Sequence, residues 1–436
     1  MFPTNAAGRR AINRRRFIQT GTLATAAAMV PRAWTADPAG KGSIAAAFDH
    51  EMETFMAARK VPGGALAVLK NRRLVYARGY GWADREQKIS VKPDSLFRIA
   101  SISKPFTAVA VMKLIENGQL SLDTKAFALL NLRPAVASLR DPEPRLRQIT
   151  IQHLLQHTGG WDRDKSFDPM FRPDQIARAT NSPPPATPEA IIRYMLSREL
   201  DFAPGARYAY SNFGYCALGR VIEKVTGQPY AEFVREKILA PIGITRMRIG
   251  ASLDGKQAPG EVRYYTSDDS TTKKNFPNAP EKVPWPYGGF HLEAMDAHGG
   301  WIASVIDLAR FAAALDAPSH SPLLKPATFQ SMYAPPPPPA SRKADGSLES
   351  SYYGCGWSVR PVGKDGNANY WHTGSLPGTS TLLVRRSDGL SWAALFNQRS
   401  EDKKLPDSAI DSALHRAAAA VENWPDHDLF PQWQKS

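Results

Sequence analysis

The stretch Phe97–Gly118, FRIASISKPFTAVAVMKLIENG, constrains the fold more than any other. Phe106, Val109, Met112 and Ile115 recur at helical spacing, and Asn117-Gly118 supplies a C-terminal stop. Phe97, Ile99 and Ala100 lead in, so the helix reads as mostly buried. Its first turn nevertheless carries Ser101 and Lys104, which share one helix face. Burial disfavours the charged form of an amine, so a lysine in that place needs a reason. At 436 residues the chain can bury such a helix in one large domain or in two subdomains.

The composition is that of a globular protein, 43% hydrophobic and 22% charged. The formal charge of +14 invites a nucleic-acid reading, but six arginines and no acids lie in residues 1–36, and removing those six charges leaves +8. The remaining basic residues are scattered among acids, with no basic block and no nucleic-acid motif. Asn13-Arg14-Arg15-Arg16-Phe17-Ile18-Gln19, an apolar run up to Val30 and Ala33-Trp34-Thr35-Ala36 follow the order of a cleavable signal peptide. The run is too short to span a bilayer, which takes about 20 residues. R-R-x-F-I-Q resembles a twin-arginine signal, which implies export to the periplasm or beyond, with no stable membrane insertion after cleavage. Cys216 and Cys355 sit in apolar contexts and read as two separate buried thiols.

Helical patterns are expected over Ser43–Lys60, Ile151–His157, Pro188–Arg198, Tyr215–Thr226, Tyr230–Leu239, Ile306–Leu315 and Ile410–Val421. Strand patterns cover Ala65–Leu69, Leu74–Tyr80, Tyr353–Val362, Tyr370–Thr373, Ser380–Arg386 and Leu390–Asn397. Residues 252–290 are polar and loop-like, fitting either a lid or a surface excursion. The expected architecture is an α/β part built from both chain ends, 43–119 and 299–424, with a mainly helical insertion at 120–298. A cleft between two such parts is a natural ligand site.

Three segments carry chemistry. S-x-x-K occurs at Ser101/Lys104, Ser270/Lys273 and Ser400/Lys403, but only Ser101 opens an apolar helix. A desolvated lysine can be a neutral amine able to accept a serine proton. On this motif alone, a capping hydroxyl and a snorkelling lysine stay equally open. Tyr208, Tyr210, Ser211 and Asn212 follow a Pro204-Gly205 turn; they offer a phenol and an amide, or else aromatic packing and a helix cap. Tyr370–Gly378, YWHTGSLPG, ends a strand in His372-Thr373-Gly374, where a substrate can approach the backbone closely.

In order and separation, Ser101-Ile102-Ser103-Lys104, Tyr210-Ser211-Asn212 and His372-Thr373-Gly374 resemble the penicillin-recognising serine hydrolases. That superfamily comprises class C β-lactamases, D-alanyl-D-alanine carboxypeptidases and related esterases and amidases. The likeness extends over roughly residues 44–422 through ITIQHLLQHTGG, PIGIT, GGW and the segment from Tyr353 to Trp357. It implies a single hydrolase domain over 43–424, with an antiparallel sheet flanked by helices. It further implies that Ser101 becomes acylated and that Lys104 and Tyr210 manage the proton. Asn212 would hold the amide of the acyl side chain, and the N–H groups of Ser101 and Ser375 would form the oxyanion hole. No cofactor or metal is implied, and the partner is a small molecule or a peptidoglycan-derived substrate.

One position departs from the β-lactamases of that superfamily, which usually carry lysine where His372 stands. Histidine titrates near neutrality, so recognition of a substrate carboxylate would lean on Thr373 and on the protonation state of His372. This tilts the expectation from β-lactamase toward peptidase, amidase or esterase. A carboxylesterase or acyltransferase of the same fold and a non-catalytic binder of β-lactams or peptidoglycan fragments are the alternatives. A metal hydrolase is disfavoured, because His153 and His157 in IQHLLQH lack the H-E-x-x-H glutamate and a third ligand at a known spacing. No G-x-S-x-G elbow is present.

Overall fold

Two strands show why the sheet lies in the middle of the protein. β1 (Gly63–Lys70) is buried along nearly its whole length, and the strand Leu390–Phe396 along all of it. Side chains alternate across a strand, so burial on both faces means layers on both sides. Leu66 and Val68 join Trp392, Ala394 and Phe396 in one core; Ala65, Ala67 and Leu69 join Ala393 and Leu395 in another.

The computed structural model describes residues 42–135, 143–363 and 366–433, so the expected signal segment 1–36 lies outside the described residues. α1 (Ile44–Arg59) leads into β1, β2 (Arg73–Asp84) and the short β3 (Ile89–Ser90). After the helical region come β4 (Tyr352–Tyr353), β5 (Ser358–Val362), β6 (Asn367–Leu376), β7 (Thr379–Arg385) and β8 (Leu390–Phe396). The eight strands form one antiparallel sheet in the order β3-β2-β1-β8-β7-β6-β5-β4. The two chain ends meet where β1 pairs with β8, Ala67 opposite Ala393.

α1 and the final helix (Ala409–Ala420) cover one face through Phe48, Met52, Phe55 and Leu414. On the other face the helix Val305–Leu315 packs on the strands, and the core there extends through α2 (Ser103–Glu116) to the segments Ile151–Leu155, Pro188–Met195 and Tyr230–Val234. α3 (Asn212–Thr226) packs on α2 in the same core. The insertion thus shares its hydrophobic core with the inner face of the sheet, and the two belong to one compact unit.

Two local differences from the sequence expectation have physical causes. The run Tyr353–Val362 is broken into β4 and β5, because residues 354–357 turn against α2. Gly356 has φ +83°, and a Cβ there would fall 2.5 Å from the Ala108 Cβ. Residues 252–290, loop-like in sequence, hold a small hairpin of Thr271–Lys273 and Lys282–Pro284. They are tied to the fully buried Arg98, which donates to the carbonyls of Pro286 at 2.7 Å and Ala251 at 2.8 Å.

Candidate active site

Ser101 lies just ahead of the helix it was expected to open. The short strand Phe97–Arg98 pairs with Trp301–Ala303, and Ile99 N–H donates to the Trp301 carbonyl at 3.0 Å. The chain then tightens into a 3-10 turn, Ala100–Ile102, before α2 starts at Ser103. Ala100 has φ +47°, a left-handed conformation that costs an L-residue roughly 1–2 kcal/mol. The pairing ahead of the turn and the helix that follows it hold it there and leave Ser101 partly exposed.

One turn on, Lys104 is fully buried. Its Nζ lies 3.2 Å from Ser101 Oγ, 2.8 Å from Asn212 Oδ1 and 2.9 Å from the backbone carbonyl oxygen of His298. Desolvation holds its pKa well below the ordinary lysine value, and the Arg163 guanidinium adds to the effect, while the Asp168 carboxylate works against it. The other two S-x-x-K lysines, Lys273 and Lys403, are exposed.

α3 brings in the second motif. Its N-cap Ser211 accepts from Gly214 N–H at 3.3 Å, which fixes where the helix starts and projects Asn212 inward. The Tyr210 ring lies beneath the amine, its centroid 4.7 Å from Lys104 Nζ, and its hydroxyl hydrogen-bonds to Ser101. Burial pushes the Tyr210 phenol above its usual value, so it stays protonated at neutral pH.

Asn212 is held at both ends. Its Nδ2 donates to Asp168 Oδ2 at 2.6 Å while its Oδ1 accepts from Lys104. Both ends of the side chain thus have protein partners, and one N–H of the amide is left to meet a substrate. Asp168, in the loop 161–187 that carries no sequence motif, went unrecognised as a site residue. Its one local signal is Asp168-Pro169, a capping residue followed by proline, and its carboxylate also accepts from Met170 N–H at 3.1 Å.

On β6 alternation sorts the third motif: Thr373 and Ser375 are exposed, whereas His372 and Gly374 are buried. His372 Nδ1 is 2.7 Å from the Thr373 carbonyl oxygen, and its Nε2 is 2.8 Å from the Tyr353 hydroxyl. A carbonyl only accepts, so Nδ1 carries the proton and Nε2 accepts from Tyr353. Desolvation, reinforced by Lys104, pushes the His372 pKa down to about 3. The expectation of an imidazole titrating near neutrality is therefore overturned by burial. Instead His372 supports Tyr353, which packs on His157 at 4.5 Å between ring centroids, and His157 packs on Tyr210 at 4.3 Å. The pH profiles of kcat/KM for a carboxylate-bearing substrate and a neutral ester are accordingly expected to overlay between about pH 5 and 8. A divergence with a midpoint in that range would return the charge-sensing role to His372.

Gly374 is required by close approach. A Cβ there would fall 2.4 Å from the Ile99 carbonyl oxygen and 2.2 Å from Thr381 Oγ1. β5 pairs with β6 only as far as Trp371, which leaves the edge from His372 to Leu376 beside the turn that holds Ser101. Ser375 and Ser101 thus lie on adjacent backbone segments, and Arg399 Nη1 is 3.4 Å from Ser375 Oγ. His153 and His157 do not act together: His153 belongs to a capping box with Thr150, and His157 Nδ1 accepts from Ser211 N–H at 3.2 Å. Cys216 and Cys355 are both buried free thiols.

A profile of the beta-lactamase family matches residues 48–415. The chain belongs to this family. Within the family, penicillin-binding protein 4* of Bacillus subtilis (strain 168) is 26% identical over 356 residues, 81% of this chain and 71% of the relative. Esterase EstB of Burkholderia gladioli is 33% identical over 227 residues, 50% of this chain and 54% of the esterase. Among solved structures, the octameric penicillin-binding protein homologue from Pyrococcus abyssi superposes with a TM-score of 0.63 at 25% identity, over 84% of this chain and 77% of that one. The D-amino acid amidase of Ochrobactrum anthropi SV3, complexed with L-phenylalanine amide, gives a TM-score of 0.63 at 22% identity over 87% and 99% of the two chains, a likeness of fold. The family is one of serine hydrolases that work through an acyl-enzyme, and this chain is a serine hydrolase of that kind.

Proposed function

We propose that this protein is an exported hydrolase that cleaves ester or amide bonds through an acyl-enzyme on Ser101, with plain esters and amides ahead of β-lactams and D-alanyl-D-alanine peptides. The observation that carries the reading is the set of partners around Lys104. A neutral amine has two N–H donors and one lone pair. Asn212 Oδ1 and the His298 carbonyl can only accept, so they take both donors. The lone pair is left for the Ser101 hydroxyl.

In this mechanism the Ser101 O–H donates to Lys104 Nζ, which takes the proton as Oγ attacks the substrate carbonyl carbon. The oxyanion that forms accepts from the backbone N–H groups of Ser101 and Ser375. Tyr210, protonated and bonded to Ser101, passes the proton from Lys104 to the leaving oxygen or nitrogen as its bond to the carbonyl breaks. Water then attacks the acyl-serine along the reverse proton path, returning the proton to Ser101 and releasing the acid.

The preference for plain esters and amides rests on two features. His372 is buried and neutral, so β6 itself carries no fixed cation, the nearby Arg399 being paired with Glu401, and one N–H of Asn212 faces a carboxylate. The kinship with a relative named as an esterase agrees with it. Export rests on the twin-arginine pattern at Arg14-Arg15-Arg16-Phe17-Ile18-Gln19, and no described helix is long and apolar enough to cross a membrane. The test is a panel of nitrocefin, a short-chain p-nitrophenyl ester and a D-alanyl-D-alanine peptide on wild type and Ser101→Ala. Ester turnover is expected to be the fastest and to fall at least about a thousandfold in the variant. Folded wild type that turns over none of the three, or a variant as active as wild type, would refute the reading; nitrocefin in the lead would refute the substrate preference.

A further inference from the structure

Asp168 is a half-buried carboxylate that the acyl-enzyme chemistry does not use directly, 2.6 Å from an amide that touches the general base. Its two described hydrogen bonds are from Asn212 Nδ2 and from the backbone N–H of Met170, so both partners are donors. An amide oriented by a carboxylate has to turn its nitrogen toward that carboxylate and its oxygen away. The oxygen of Asn212 consequently meets Lys104. With Asp168 absent, the two ends of the amide are nearly the same in shape, and the side chain is free to flip. A flipped Asn212 would point N–H at Lys104 and compete with Ser101 for the lone pair of the amine.

We propose that Asp168 is a positioning residue that fixes the orientation of the Asn212 amide, reserving the Lys104 lone pair for Ser101 and turning one of the two Asn212 N–H donors away from substrate. The second half concerns specificity. An acylamino group next to the scissile bond carries a carbonyl that needs an N–H donor at this end of the cleft. Here that carbonyl meets the negative oxygens of Asp168 beside the donor. Substrates without such a group lose nothing. The site is thereby biased toward simple acyl groups by a residue that touches neither the nucleophile nor its base.

Several charged or titratable groups surround the pair. Arg163 faces Asp168, Lys104 and the ring of Tyr210, its guanidinium carbon 4.7 Å from that ring centroid. His157 and His372 act on the same cluster from the segment after Ile151–Leu155 and from β6, and His298 from the loop before Trp301–Ala303. None of these is a carboxylate, so Asp168 is the anion facing Lys104.

The inference rests on the serine-hydrolase reading, and fluorophosphonate labelling of Ser101 tests that reading separately. The experiment compares wild type, Asp168→Asn and Asp168→Ala on a p-nitrophenyl acetate and on the p-nitrophenyl ester of N-acetyl-D-alanine, with melting curves to establish folding. Asp168→Asn keeps an acceptor for Asn212; Asp168→Ala keeps none. In Asp168→Ala, kcat on the acetate is expected to fall about 10- to 100-fold with KM little changed, the size of a lost charge-assisted hydrogen bond. Asp168→Asn is expected to recover part of that loss. The ratio of kcat/KM for the N-acetyl ester over the acetate is expected to rise at least about fivefold in Asp168→Ala, which frees a hydrogen bond to the substrate. Loss of the Asp168 charge removes a raising influence on the Lys104 pKa, so the acid limb of kcat/KM is expected to move to lower pH in both variants. Folded variants that still label at Ser101 but show the wild-type kcat, ratio and acid limb would overturn the proposal while leaving the hydrolase reading in place. If Asp168→Ala fails to fold, the acid limb and the ratio of Asp168→Asn decide; both unchanged would overturn it equally.

Discussion

Lys104→Met is expected to lower kcat/KM for a p-nitrophenyl ester by about 10²- to 10⁴-fold, the usual contribution of a positioned general base. Methionine matches the length and apolar body of the lysine, so α2 keeps its packing, but no atom at the end of the side chain can take the serine proton. The remaining activity would come from the oxyanion donors and from binding. The same substitution has a second signature in stability. The folded pKa of Lys104 is depressed, whereas the unfolded chain has the ordinary value of about 10.4. Between those two values the unfolded state binds the extra proton, so wild-type stability rises with pH through that window. Methionine has no such dependence. The melting temperature of Lys104→Met minus that of wild type is therefore expected to decrease as pH rises from the folded value toward about 10.4. A difference that stays flat across the window would mean that the buried amine is already charged.

Arg98→Met is expected to destabilise the fold by about 3–5 kcal/mol, read as a lower urea midpoint at unchanged slope. Arg98 is fully buried, two residues ahead of the strained Ala100. Its guanidinium satisfies the carbonyls of Pro286 and Ala251 and lies 4.2 Å from the centre of the Tyr264 ring. It also offsets the desolvation of Glu261, whose carboxyl is pushed up by burial and held down by Arg98. Removing the cation alone leaves the Pro286 and Ala251 carbonyls without this donor and the half-buried Glu261 without its main countercharge. A single-partner loss of this kind is costly even where replacing a whole ion pair is not. Arg98→Lys keeps the charge but cannot span both carbonyls with a planar fork, so it is expected to recover only part of the loss. A folded Arg98→Met within about 0.5 kcal/mol of wild type would show that residues 251–290 are not held through this residue.

The sequence disclosed most of the architecture because period and position carry it. The apolar spacing from Phe106 to Ile115 marks α2, and the short apolar runs at both chain ends mark the sheet. Spacing alone left the Ser101 and Lys104 pair open, and the family resemblance of the three motifs is what implied that Tyr210 joins them; the structure sets Lys104 Nζ 3.2 Å from Ser101 Oγ, with the Tyr210 ring centroid 4.7 Å from the amine. The sequence could not disclose which face of β6 looks into the cleft. A shift of one residue exchanges His372 for Thr373, and the parity is set by pairing with β7, where His372 stands opposite Leu383. Asp168 was equally hidden, because its partner Asn212 lies in another element and no motif marks the segment that carries it. The third partner of Lys104 is a backbone carbonyl, which every residue possesses and no motif can mark.

The central claim is that a neutral Lys104 holds its lone pair toward Ser101. Its most direct test is a pH titration of the Lys104 side chain in protein labelled with ¹³C at lysine Cε, the resonance assigned by its disappearance in Lys104→Met. A midpoint well below the ordinary lysine value of about 10.4 is the predicted result. A Lys104 that titrates at that ordinary value would be charged throughout the working range, with no lone pair to offer, and would contradict the account.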